Sequence, residues 1–190
     1  MTHYFNPGDP LALRHFTKTL SSLLEKEDLT NRDIVILCIG SDRATGDSLG
    51  PMVGHQLARI QKNFHLYGTL KNPVHAKNLE DALTFIELNH KNPFIIAIDA
   101  SLGVAEHIGY ITLGEGSLPP GVGVAKKLPA VGDLCITGIV NLSGFGGQML
   151  LQTTRLSLVL ELASFIVSGL RRCLCTPGIS QFRSSLQRAK

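Results

Sequence analysis

The sequence predicts an α/β domain built on a mostly parallel sheet with helices on both faces. Two observations predict it. Ile34 to Gly40 and Phe94 to Asp99 are nearly continuous apolar runs, and a strand apolar on both faces belongs in a sheet covered on both sides. Segments of helical period alternate with such runs, the pattern of parallel strands joined by crossover helices.

In chain order, Leu11 to Glu27 predicts an amphipathic helix, because Leu11, Leu13, Phe16, Leu20, Leu23 and Leu24 recur near helical spacing. The first strand, Ile34 to Gly40, leads into polar residues Ser41 to Asp47. Leu49 to Gln61 follows as a helix, with Pro51 in the first turn, where proline costs no hydrogen bond. Phe64 to Leu70 is a second strand. Asn78 is placed to cap a helix over Leu79 to Leu88, with Asp81 in its first turn. The third strand, Phe94 to Asp99, is apolar until it meets a carboxylate. Gly109 to Leu113 and Leu134 to Val140 are the fourth and fifth, separated by a Gly/Pro-rich loop. Gln148 to Leu170 is one long apolar helix, opened tightly by Gly144, Gly146 and Gly147. From Arg171 to Lys190 the chain is basic and serine-rich, with Pro177-Gly178 as a breaker. Residues 1–170 are thus expected to form one domain and 171–190 a loosely held tail.

Composition narrows the classes of function. The 190 residues are 44% hydrophobic with no tryptophan, so Ile, Leu and Val fill the core. The net charge of +3 comes without a basic stripe interleaved with aromatics, which argues against a nucleic-acid partner. No apolar run approaches the roughly 20 residues of a membrane helix. The polar start, Met1 to Pro10, lacks the order of a secretory signal, so a cytoplasmic location is expected. Cys38 and Cys135 lie in apolar runs as small core residues. Cys173 and Cys175 are expected to be reduced thiols, since no second Cys or His pair completes a metal site.

The architecture singles out two carboxylates. Open α/β sheets bind ligands beyond the carboxyl ends of their strands, where strand order reverses. With the common order 2-1-3, the first and third strands are neighbours there. The polar stretch after the first ends in Asp47, and the third ends in Asp99. A carboxylate at the rim of a buried sheet is partly stripped of water, which disfavours its charge. Either residue alone could serve the backbone, Asp47 as the cap of the helix that follows. Together they could share a proton, one acting as acid while the other deprotonates water. Both ionised, they could hold a divalent metal. Further pocket candidates are His75, as ligand or base, Asn141 at the end of the fifth strand, and Lys126 with Lys127 after Gly121-Val122-Gly123. A phosphate loop of the G-x-x-x-x-G-K-[ST] type is absent.

Gly40 to Pro51, above all Thr45-Gly46-Asp47-Ser48-Leu49-Gly50-Pro51, resembles the glycine-to-proline motif of the bacterial spore germination protease. Ile95 to Ala100 resembles its second aspartate strand, and Gly121 to Lys127 its later glycine-rich loop. The match is closer to the YyaC-type sporulation protein family. Thr69-Leu70, Pro73 to Asn78, Leu128 to Asp133 and Ile139-Val140-Asn141 are similar to its signatures, and the resemblance runs from about Ile34 to Ile166. It implies a three-layer, twisted α/β sandwich shared with hydrogenase maturation endopeptidases. It also implies an endopeptidase acting on protein or peptide substrates inside the spore or forespore, with Asp47 and Asp99 as its acid pair and no cofactor required. The nickel-binding relatives suggest an alternative, a metal-dependent endopeptidase with Asp47 and Asp99 as ligands; the position of their histidine ligand is not matched here. A catalytically silent regulatory module of sporulation is the reading from another class, and a homo-oligomer is compatible with each. The chain departs from germination protease at Gly46, where that family has proline.

Overall fold

A computed structural model describes residues 1–60, 63–120, 129–144 and 146–174, except for the side chain of Gln148. Its elements are β1 (Thr2–Phe5), α1 (Ala12–Glu25), β2 (Ile34–Cys38), α2 (Leu49–Leu57), β3 (His65–Tyr67), α3 (Leu79–Asn89), β4 (Phe94–Gly103), β5 (Ile111–Glu115), β6 (Leu134–Leu142), α4 (Gly147–Thr153) and α5 (Leu156–Leu174). The six strands form one sheet in the order β1-β5-β6-β4-β2-β3. β3, β2, β4 and β6 run parallel, while β5 and β1 are antiparallel additions at one edge.

Alternation along β2 and β4 divides the core in two. Ile34, Ile36, Cys38, Ile96 and Ile98 face one layer made by α1, α2 and α5, through residues such as Phe16, Leu49, Val53, Leu162 and Ile166. Val35, Leu37, Ile39 and Ala97 face the other layer, with Leu79 and Ile86 of α3 and Val74, Leu118 and Val131 from loops. The result is the three-layer α/β sandwich expected from the apolar runs. The order β4-β2-β3 is the expected 2-1-3 arrangement, and it puts the reversal between β2 and β4.

Several boundaries differ from the sequence reading. β1 was not expected: of its four residues only Phe5 is buried, so it carries no apolar signal, and its pairing with β5 makes it a strand. The long helix expected from Gln148 to Leu170 is two helices. Thr154 adopts extended backbone between α4 and α5, and its Oγ1 bonds back to the Leu150 carbonyl at 2.9 Å. Gly146, at φ +81°, opens α4. Asn78 precedes α3 as expected but makes no side-chain cap. Its amide ties the preceding loop instead, accepting from the His75 N–H at 2.8 Å and donating to the Pro73 carbonyl at 3.1 Å.

The boundary drawn at Arg171 also moves. α5 continues through Leu174, and Cys173 and Leu174 are each 2% exposed. Residues 171–174 therefore belong to the packed domain, and 175–190 lie outside the described residues. A chain ended at Arg172 is expected to melt about 4–8 °C below one ended at Leu174, since losing a buried leucine costs about 2 kcal/mol or more. Equal melting temperatures would mean that these two side chains contribute no packing. Among the described residues, no helix is long and apolar enough to cross a membrane.

Candidate active site

β2 ends at Cys38, paired with Ile98, so Asp99 lies one step beyond the last β2–β4 pair, at the crossover edge. Its side chain is on the α3 face of β4 by alternation, and it is 3% exposed. It is the one carboxylate in the buried class among the described residues. One carboxylate oxygen accepts the Ala100 N–H at 2.7 Å.

Asp47 reaches the same edge by a turn. After Ile39 the chain passes through Gly40, at φ +136°, and loops back so that the Ser41 N–H donates to the Asp47 carbonyl at 3.1 Å. A Cβ on Gly40 would collide with that carbonyl, so glycine is required for the close return. Asp47 sits in a short 3-10 turn, Gly46–Ser48, which packs against β4, α4 and α5. Gly46 lies on the junction of α4 and α5: a Cβ there would come 2.8 Å from Thr154 Oγ1 and 2.9 Å from Leu151 Cδ2. A larger residue at 46, a proline ring included, would have no room there. Asp47 is not the helix cap that its sequence position allowed; Ser48 holds that place, without a side-chain cap bond.

Burial pushes the Asp47 carboxyl above the ordinary range, opposed by a hydrogen bond from the Ser41 amide and by the charge of nearby His75. In the unfolded chain the group titrates near 3.8. The folded state thus holds this proton to higher pH, and stability falls as pH rises above that value. Asp47→Asn is therefore expected to melt above the parent at pH 7, by about 2–4 °C per kcal/mol. The gap should close as pH falls below 3.8, where both states become protonated. Melting curves across this range check the sign; a gap that widens towards low pH would reverse it.

The other candidates divide. His75 lies close enough to act on Asp47. Its Nδ1 accepts the Lys77 N–H at 3.3 Å, which puts the neutral ring's proton on Nε2. Such a ring offers a donor to a carboxylate and no free lone pair to a metal. Asn141 is committed to the scaffold: its Nδ2 donates to the Leu150 carbonyl at 2.8 Å and to Thr154 Oγ1 at 3.2 Å, and its Oδ1 accepts the Leu142 N–H at 2.9 Å. It anchors the α4–α5 junction on which Asp47's turn rests. Lys126 and Lys127 lie outside the described residues. Asp133 is far from this edge, at the start of β6. It pairs with Arg32 at 3.0 Å and accepts the Ile95 N–H at 2.7 Å.

A row of hydroxyls beside Asp99 was not anticipated. Thr137 pairs with Asp99 across β4 and β6, and its Oγ1 lies 3.0 Å from Ser101 Oγ and 2.7 Å from Thr112 Oγ1. These residues line an open cleft of about 360 Å³ reaching Thr2, Tyr4 and His107. A second cleft of about 550 Å³ lies on the His75 side, lined by Tyr67, Thr69, Asn72 and Asn78. Neither lining includes Asp47 or Asp99. The available signal was the polar residues at 99, 101 and 137 in otherwise apolar strands.

Comparison with known proteins agrees with this architecture. The model of a family described as "Protein of unknown function (DUF1256)" matches residues 4–169. A protein of Bacillus subtilis (strain 168), described as "Uncharacterized protein YyaC", is 49% identical over 168 residues, covering 88% of this chain and 81% of that relative. The crystal structure of a NiFe hydrogenase maturation protease, HycI from Thermococcus kodakarensis KOD1, superposes with a TM-score of 0.53. It is 17% identical and covers 81% of this chain and 99% of that one, a likeness of fold alone. With the family model matching nearly the whole described chain, and a relative 49% identical over 168 residues, the protein belongs to the DUF1256 family and carries a fold shared with a hydrogenase maturation protease.

Proposed function

We propose that the protein is a sporulation peptidase in which Asp47 and Asp99 activate water against a peptide bond of a protein substrate. The observation that carries this reading is a buried carboxylate, Asp99, at the strand crossover where Asp47's turn returns to the sheet. Burial favours the protonated form of Asp47, as an acid requires. In this mechanism the proton would belong to the pair, because a second charge beside the first is costly. Asp47 would protonate the carbonyl oxygen while Asp99 takes a proton from the attacking water. Collapse of the tetrahedral intermediate would break the C–N bond, with the proton passing to the leaving amine. The sporulation role rests on the YyaC-type resemblance, and the peptidase role on that resemblance together with the fold.

The two carboxylates offer oxygen donors to a divalent ion, but His75 does not complete a ligand set, because its Nδ1 is occupied by the Lys77 amide. No step is therefore routed through a metal. The test is digestion of spore protein extracts by the parent and by Asp99→Asn, with new peptide termini mapped by mass spectrometry and metal content measured on the same samples. Termini produced by the parent and missing with the variant support the proposal. The same termini from both would exclude Asp99, and loss of a bound ion together with activity would exchange the water-activating pair for a metal site.

A further inference from the structure

At the opposite edge of the sheet, three residues meet for which the aspartate pair has no use. Asp33 directly precedes β2, His65 opens β3, and His90 ends α3. Each has a ligand-type atom within 4.8 Å of the others'. The His65 and His90 rings lie 4.1 Å apart between centroids, tilted by 42°. The His90 side chain is 8% exposed, Asp33 is half-buried, and His65 is open to solvent.

The hydrogen bonds orient these groups as ligands are oriented. Tyr67 Oη lies 2.6 Å from His90 Nε2. With the Nε2 proton donated to that oxygen, the lone pair is on Nδ1, which lies 3.8 Å from Asp33 Oδ2. That gap is too long for a direct hydrogen bond. It is close to the separation of about 3.4 Å that two ligands show on a tetrahedral ion with bonds of about 2.0–2.2 Å. Asp33 Oδ2 is itself held by the Lys91 N–H at 2.9 Å, so the carboxylate is oriented too.

We propose that Asp33, His65 and His90 form a zinc-class divalent metal site at this edge, with a fourth position open to solvent. Two imidazoles and one carboxylate are donors suited to zinc, and three protein ligands with an open position describe a zinc site accessible to a small ligand. The ion would tie the end of α3 to the starts of β2 and β3. Tyr67 acts through His90 and is a positioning residue.

The experiment uses the chelator-treated full chain, zinc titration by calorimetry, cobalt(II) absorption spectra and melting curves. One zinc per chain is expected, with tetrahedral cobalt bands in the visible. Zinc at one hundred times its Kd should raise the melting temperature by about 5–10 °C. His65→Ala, at an exposed position, and Asp33→Asn should each weaken zinc binding at least 100-fold while their metal-free melting curves stay near the parent's. Tyr67→Phe should weaken it about 10–100-fold, and Asp99→Asn should leave it unchanged. Zinc affinity equal to the parent's in His65→Ala and Asp33→Asn would overturn the site. So would zinc binding lost with Asp99→Asn, or a parent melting temperature indifferent to zinc.

Discussion

Asp99→Asn is expected to lower peptide-bond cleavage by about 10³-fold or more while leaving the melting temperature within a few degrees of the parent. General acid–base groups contribute about 10²–10⁴-fold, and a partner that cannot exchange a proton forfeits that share. The side chain is 3% exposed, so a change of shape there would unfold the sheet edge, but Asn has the shape of Asp. Its amide oxygen can still accept the Ala100 N–H. An aspartate with a structural task would behave otherwise, because Asn would replace it with little change in cleavage. Steady-state cleavage of a mapped substrate by both forms, with unfolding curves on the same samples, makes the distinction. Unchanged cleavage would remove Asp99 from the mechanism. A collapse of stability in parallel with activity would make its role one of folding.

The fold was legible where the chemistry is local. β2 and β4 are read as buried strands because no polar residue interrupts them until Asp99, and the alternation with helices then implies the parallel order. β1 was not legible, since its identity as a strand comes from β5, more than a hundred residues later. The break at Thr154 carries no glycine or proline signal; it depends on Asn141 reaching across to Leu150 and Thr154. The same limit governs the candidate site. The sequence reading ended the third strand at Asp99, whereas β4 runs on to Gly103; what topology did place is Asp99 one step beyond its last pair with β2. That His75 acts on Asp47 through space while its Nδ1 accepts the Lys77 amide is tertiary detail. Asp33, His65 and His90 lie on three different elements with no motif spacing, and the fold alone brings them together.

Gly54→Ala is expected to destabilise the protein by about 3 kcal/mol, against the direction that helix propensity gives. Gly54 is inside α2, where alanine ordinarily gains up to about 1 kcal/mol over glycine. Here a Cβ would fall on the Gly68 carbonyl oxygen and come within 3.4 Å of Cys38 Sγ. Gly68, at φ +81°, is itself pressed on the Cys38 carbonyl, so α2, the residue after β3 and the end of β2 stack backbone on backbone. A side chain could rotate away from the intruding methyl, whereas the Gly68 carbonyl, pinned between α2 and the end of β2, cannot. α2 must therefore lift off the sheet, and its first residue, Leu49, follows Asp47 by two positions. The melting temperature should fall by about 6–12 °C for a loss of that size. Cleavage should fall with it at temperatures where the variant is still folded, because Asp47 moves with the helix. Gly144→Ala is the control: a Cβ there meets nothing within 4 Å, so its melting temperature should match or slightly exceed the parent's. A Gly54→Ala protein as stable as the parent would show that α2 is free to move away from β2 and β3, and the tight backbone stack would cease to explain how Asp47 is held.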